Sequence, residues 1–323
     1  MTQRLLRRFV RIIVVGAFGA VAVAAAAFPT KTITIIVPYG PGSSTDVMAR
    51  DIAKAFTDQL GHAVLIDNKP GAEGLIGAQA VLNAPADGHT LVFTSSSLTV
   101  LDPLMKKQLP YDPHKDFAPI CGVGSNDSML NVTGAGPYKD LASFIAAAKA
   151  NPGKLTFGYG SATQRLAGEL FSQAAGVKLT AVPYKTTVAG LTDVAGGQID
   201  ALFVDHVSTA PFRQSGKMRA LVVSGNQRIK NVPEVPAGAE LGLIDTDPRS
   251  FFAYYVSSKT PPDIVRQLQQ MVSQVMKSPV MREMIDKRAL TPVSMCGDQL
   301  GQFIQSETER IRKAVERAGI EKQ

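Results

Sequence analysis

Several signatures of catalysis are missing from this chain. It has no G-x-S-x-G turn to raise a nucleophilic serine and no H-E-x-x-H pair of zinc ligands. Its four histidines, His62, His89, His114 and His206, are scattered, and no Cys/His set has ligand spacing. These absences offer no catalytic residue, metal site or cofactor, so none is expected. No repeat or low-complexity tract interrupts the chain, and its apolar content is that of a globular protein. Cysteine is scarce, with only Cys121 and Cys296. In an oxidising compartment the two can pair, and two isolated thiols are equally compatible with their separation. The sequence leaves that open.

A basic excess is present but mostly local. Arg4, Arg7, Arg8 and Arg11 precede an apolar run over 12–27 that ends in alanines, the pattern of a secretory signal. The run is short for a membrane span, no stop-transfer segment follows, and no cysteine marks a lipoprotein cleavage point. Cleavage near Phe28 is expected, with export to the periplasm. Without those four arginines, 30 of the 34 basic residues face 27 acidic ones, so the formal +7 falls to +3. Nucleic acid is therefore not an expected partner.

The remaining length suits two domains. Its organising stretch is 33–50, ITIIVPYGPGSSTDVMAR. A β-branched run reads as a buried strand, a turn of Pro, Gly and Ser follows, and a helix then begins. Ser43 and Asp46 have the spacing of a capping box, in which the acid reaches back to a free backbone N–H. Free N–H groups and the dipole at such a helix start suit a carboxylate or phosphate. The same stretch also fits an ordinary, well-capped βα turn.

Alternation of strand and helix continues to about residue 224. Strands are expected at 63–67, 90–93, 117–123, 129–132, 155–159, 180–183, 201–204 and 219–224, and again at 251–257. Small polar loops follow two of them, Ser95-Ser96-Ser97 and Ser161-Ala162-Thr163. Open α/β sheets bind ligands beyond the carboxyl ends of their strands, so these loops are expected to share a crevice with 42–46. Three helices close the chain, the first expected to be capped by Thr260 with Pro261 at its start. The G-x-x-G-x-x-G run over 71–77 has the wrong spacing for a dinucleotide loop and reads as a tight start to a helix. Asp205-His206 invites a catalytic reading, but neighbours on a strand point to opposite sides.

The residues also carry a family resemblance. PYGPGSSTD (38–46), NKPGAEG (68–74), APADGHT (84–90), LPYDP (109–113), LAGELF (166–171), VPYK (182–185) and GGQID (196–200) occur in the family's order across nearly the whole mature chain. The chain resembles the periplasmic solute-binding proteins of the tripartite tricarboxylate transporter (Bug-type) family. The resemblance implies an α/β, two-lobed periplasmic-binding-protein fold of type II-like form, each lobe a mixed sheet flanked by helices. The lobes are expected at 28–122 plus 250–323 and at 123–249, closing like a flytrap on a small carboxylate. It implies ligand contacts from Tyr39, Gly42, Ser43, Ser44, Thr45 and Asp46 in the first loop. Ser95, Ser96, Ser97, Ser161, Ala162 and Thr163 are expected from two further loops, with the loop of Tyr184, Lys185, Thr186 and Thr187 and the strand end at Asp205 completing the pocket.

Four positions depart from the family pattern: Ser43, Glu73 and Thr186 stand where glycine is usual, and His89 where tyrosine is usual. Ser43 and Thr186 are expected to narrow the cleft or add a hydroxyl, and Glu73 and His89 to lie behind it. No arginine is placed in the cleft, and Arg165 reads as a solvated helix residue. The expected function is capture of an organic acid by a monomeric receptor and its delivery to a membrane transporter. Presentation of the ligand to a periplasmic sensor kinase domain is an alternative on the same scaffold. The third reading is an exported hydrolase or isomerase using Asp205 and His206.

Overall fold

The computed structural model describes residues 28–243, 246 and 248–322; the expected secretory signal, 1–27, lies outside them. Buried Ile33, Ile35, Ile36 and Val37 form β1 (Ile33–Val37), as a strand covered on both faces requires. It leads into α1 (Ser44–Leu60), capped by Ser43 and ended by Gly61 in the left-handed conformation. β2 (Val64–Asn68), α2 (Leu75–Leu82), β3 (Thr90–Ser95), a short α3 (Asp102–Met105) and β4 (Phe117–Asn126) complete the first pass. The middle of the chain gives β5 (Ser128–Thr133), α4 (Leu141–Ala150), β6 (Thr156–Tyr159), α5 (Ala162–Ala174) and β7 (Thr180–Pro183). It continues through α6 (Thr187–Ala195), β8 (Ala201–Asp205), α7 (His206–Gln214) and β9 (Met218–Val223). The return comprises β10 (Ser250–Ser257), α8 (Pro262–Met276), α9 (Pro279–Lys287), β11 (Thr291–Pro292) and α10 (Asp298–Arg317).

These strands form two mixed sheets. The first has the order β11-β4-β10-β3-β1-β2 and the second β7-β6-β8-β5-β9. β1 lies parallel to β2 and β3, whereas β10 returns antiparallel between β3 and β4. In the second sheet β6 lies parallel to β7 and β8, and β5 is antiparallel to β8 and β9. The chain crosses from one sheet to the other after Asn126, which still pairs with Ser250, and not at 122/123 where sequence reasoning put the boundary. It returns between β9 and β10.

Each sheet is covered on both faces. Met48, Ile52 and Phe56 of α1 pack with Leu268 and Val272 of α8 on one side of the first sheet. On its other side, Leu300, Ile304 and Ile311 of α10 share a core with Ala162, Leu166 and Leu170 of α5. Since α5 follows β6, its apolar stripe joins the two halves of the molecule. Burying a leucine contributes about 1.5–3 kcal/mol, so Leu166 and Leu170 hold α5 firmly against the first sheet's partners.

Three local readings are settled by the structure. Cys121 and Cys296 form a disulfide, closing the alternative that the sequence left open. Pro261, not Thr260, holds the cap position of α8, without a side-chain cap bond. Gly77 lets α2 approach the first loop: a Cβ there would stand 2.5 Å from the Cβ of Pro38, so the glycine run serves close packing. Among the described residues no helix is long and apolar enough to cross a membrane.

Candidate functional site

Four helices begin at one cavity between the sheets. It encloses about 40 Å³ and is bordered by Ser43, Ser44 and Thr45 at the start of α1, and Ser161 and Thr163 at the start of α5. Thr187 from α6 and Asp205 and Ser208 from α7 complete that set. Each of these helices has a side-chain cap: Ser43 accepts from the Asp46 amide, Ser161 from Gln164, Thr186 from Ala189, and Asp205 from Ser208. The strand–turn–helix units thus aim the positive ends of four dipoles at one volume. Among the described lining residues, Asp205 is the one charged side chain.

The first loop is held from behind. Asp46, 3 % exposed, accepts from the Gly42 amide at 2.9 Å and from Asn68 Nδ2 at 2.9 Å. Arg50 approaches its carboxylate at 2.9 Å. The expected reach back to a free backbone N–H goes to Gly42, one residue before the cap, because the Ser43 amide is bonded to the Gly40 carbonyl. Gly42 has a φ of +85°, so glycine suits the turn. Tyr39 donates to or accepts from Ser95 Oγ at 2.8 Å, and burial raises its pKa above the ordinary range.

Polar bonds also cross between the sheets. The Ser44 amide donates to Ser208 Oγ at 3.0 Å, and that hydroxyl donates to Asp205 Oδ2 at 3.1 Å. Ser97 Oγ lies 2.9 Å from Thr163 Oγ1. At the rim, a Cβ on Gly40 would come within 2.9 Å of Thr186 Cγ2, so the first loop and the start of α6 touch.

Of the expected residues, the structure gathers Tyr39, Ser43, Ser44, Thr45, Ser95, Ser161, Thr163 and Asp205 around the cavity. Gly42, Asp46, Ser96, Ser97 and Ala162 do not border it. Asp46 and Ser97 support lining residues, and Ala162 is buried in the shared apolar core. Nor do Tyr184, Lys185 and Thr186: Tyr184 donates to Asp193 at 2.7 Å, Lys185 is exposed, and Thr186 is occupied as a cap. Glu73 pairs with Lys106 at 3.1 Å, and His89 bonds Asp87 at 3.1 Å; neither borders the cavity. Arg165 is buried rather than solvated, with its guanidinium 5.9 Å above the Tyr159 ring.

Of the expected loop 184–187, Thr187 alone borders the cavity. Sequence reasoning missed Asn126, Ser128, Gln164, Ser208 and Ser250. Gln164 accepts from the Gly160 amide at 2.7 Å and donates to Thr187 at 3.0 Å, which fixes the start of α5. Ser208 stands three residues after Asp205, a cap spacing that was readable. Asn126, Ser128 and Ser250 carry no local signal, because only the crossing of the chain brings them here.

The Asp205-His206 pair forms no relay. Both Asp205 oxygens accept from Ser208, and neither ring nitrogen of His206 has a hydrogen-bond partner among the described residues. Burial lowers the His206 pKa below the ordinary histidine range, against the pull of Asp205. A larger hollow of about 410 Å³ is lined by Asp127, Asn226, Arg249 and Arg310, among others, and none of the expected residues borders it.

Comparison with known proteins decides the family. A profile described as "Tripartite tricarboxylate transporter family receptor" matches residues 48–320. The chain belongs to that family. Protein BugT of Bordetella pertussis is 32 % identical over 314 residues, 95 % of this chain and 96 % of that protein. The solved structure of R. palustris Rpa4515 with adipate is 29 % identical with a TM-score of 0.86, covering 92 % of this chain and 100 % of that one. MatC (Rpa3494) from Rhodopseudomonas palustris with bound malate is 28 % identical with a TM-score of 0.83, covering 89 % and 100 %. The family receptor is therefore a solute-binding protein with the two-lobed α/β fold, not an enzyme.

Proposed function

We propose that this receptor is exported to the periplasm, closes its two lobes on a small carboxylate, and presents the closed form to the membrane subunits of a transporter. The lobes are 28–122 plus 250–323 with the remainder of β4, and the segment from Ser128 to β9, hinged at the two crossings. The lining residues Tyr39, Ser43, Ser44, Thr45, Ser95, Ser161, Thr163 and Asp205 are the proposed ligand contacts. Asp46 and Ser97 act behind them.

The observation that carries this reading is the convergence of four capped helix starts from both sheets on one cavity that has no lining cation among the described residues. Charge-assisted hydrogen bonds to a carboxylate contribute about 1.5–3 kcal/mol each. A few of them reach about −8 kcal/mol, which is micromolar affinity. Neutral donors also permit release, which a receptor that hands over its cargo needs. Because contacts come from both lobes, the ligand binds the closed form better and so shifts the population towards it.

The test is a thermal-shift screen of the mature protein against small organic acids, followed by calorimetry. A ligand that binds only folded protein raises Tm. At least one acid is expected to do so with saturable, turnover-free binding. Failure of every acid, or acid turnover lost in His206→Ala, would refute the proposal.

A further inference from the structure

Asn126 ends β4 at the crossing between the sheets and borders the cavity with 6 % of its surface exposed. Its Nδ2 has no hydrogen-bond partner among the described residues. A buried amide donor left unpaired costs about 1–3 kcal/mol, and a ligand that accepts from it recovers that cost. We infer that this cleft takes a short monocarboxylate carrying a second, uncharged oxygen, and that Asn126 donates to that oxygen. The inference rests on the receptor reading above and narrows its ligand.

Size and charge point the same way. The cavity opens to solvent on one side, and its inner part of about 40 Å³ corresponds to about three water positions, or roughly 90 Å³ of liquid. That is the room of an acid with two to four carbons. The rim is drawn in by Thr186 against Gly40. Four helix starts bring roughly half a positive charge each, about +2 in all. Asp205 offsets one unit, and Asp46 is balanced by Arg50. What remains is about +1, the complement of one carboxylate. A second carboxylate would meet Asp205 with no lining lysine or arginine to neutralise it.

The experiment is calorimetry with lactate, propionate and succinate on wild type and Asn126→Leu, with Asn126→Ala as the replacement should the leucine variant lose its thermal transition. Lactate and propionate differ by the hydroxyl alone. Wild type is expected to bind lactate about tenfold more tightly than propionate and to bind succinate more weakly than either. In the Asn126 variant the lactate preference collapses to within about twofold, while propionate affinity holds. Succinate binding as tightly as lactate would overturn the monoacid assignment. An unchanged lactate preference in the variant would overturn the role of Asn126. If no acid in the wider screen binds at all, the receptor reading fails first, and that result is distinct from both.

Discussion

Removing the Asp46 carboxylate would release three donors at once: the Gly42 amide, the Asn68 carboxamide and Arg50. They come from the first loop, the end of β2 and the first turns of α1, so the carboxylate ties the loop to both elements and the start of α1 would lose part of its placement. Asp46→Ala is expected to lower the unfolding free energy by about 2–4 kcal/mol and to weaken acid binding about tenfold. Denaturant titration and calorimetry check the two effects, and wild-type values in both would remove Asp46 from this role. Asp102 makes a different case. It lies buried at the start of α3, with Lys106 Nζ at 3.9 Å and the Tyr111 hydroxyl donating at 3.3 Å. Desolvation outweighs Lys106 and raises its pKa to about 7. A raised acid pKa stabilises the fold fully below about pH 3.8, and that contribution is lost as pH rises towards 7. Asp102→Asn does not titrate. The variant should therefore gain on wild type between pH 5 and pH 8, by up to a few kcal/mol, and the difference should flatten above that. Parallel stability curves across this range would contradict the burial argument.

At the scale of elements, the helix starts were the legible part. Ser43-x-x-Asp46 has the spacing of a cap, and the loop after β6 reads as a second small polar turn before a helix. What stayed hidden were residues whose meaning depends on the partner sheet. Tyr184 and Lys185 looked like pocket residues, yet Asp193 draws the tyrosine aside and solvent takes the lysine. Thr187 faces the cavity because its neighbour Thr186 is committed to the Ala189 amide. A one-residue shift at a helix start changes which hydroxyl points inward, and sequence pattern does not resolve that shift. The strands were visible from their β-branched runs, but the pairing of β10 between β3 and β4 was not, since that contact spans more than a hundred residues. The disulfide belongs to this scale too. Cys121 of β4 and Cys296, just before α10, are 175 residues apart in the chain. The bond therefore removes much freedom from the unfolded state, and Cys121→Ala with Cys296→Ala should lose about 2–5 kcal/mol. A double variant as stable as wild type would show that the staple contributes little.

In the molecule as a whole, two sheets meet through one apolar helix and one polar cavity. α5 presents both: Leu166 and Leu170 pack into the first sheet's core, while Ser161 and Thr163 open onto the cavity. The two halves are held together by that apolar contact, about 1.5–3 kcal/mol for each leucine, and by hydrogen bonds such as Ser44 to Ser208 and Ser97 to Thr163, each worth about 0.5–1.5 kcal/mol. A ligand shifts the balance between open and closed forms only by its differential affinity for the two. The two-lobed architecture was foreseeable from the alternation of elements and from the family resemblance. The ligand's size and charge were not, because they follow from how closely Gly40 approaches Thr186 and from the absence of a lining cation. The central claim is that uncharged donors at helix starts receive the acid. A crystal structure with the tightest-binding acid tests it most directly. The account predicts the carboxylate inside this cavity, within about 2.7–3.1 Å of backbone N–H or hydroxyl groups of 43–45 and 161–163. A carboxylate held by an arginine or lysine, or lying outside the cavity, would contradict it.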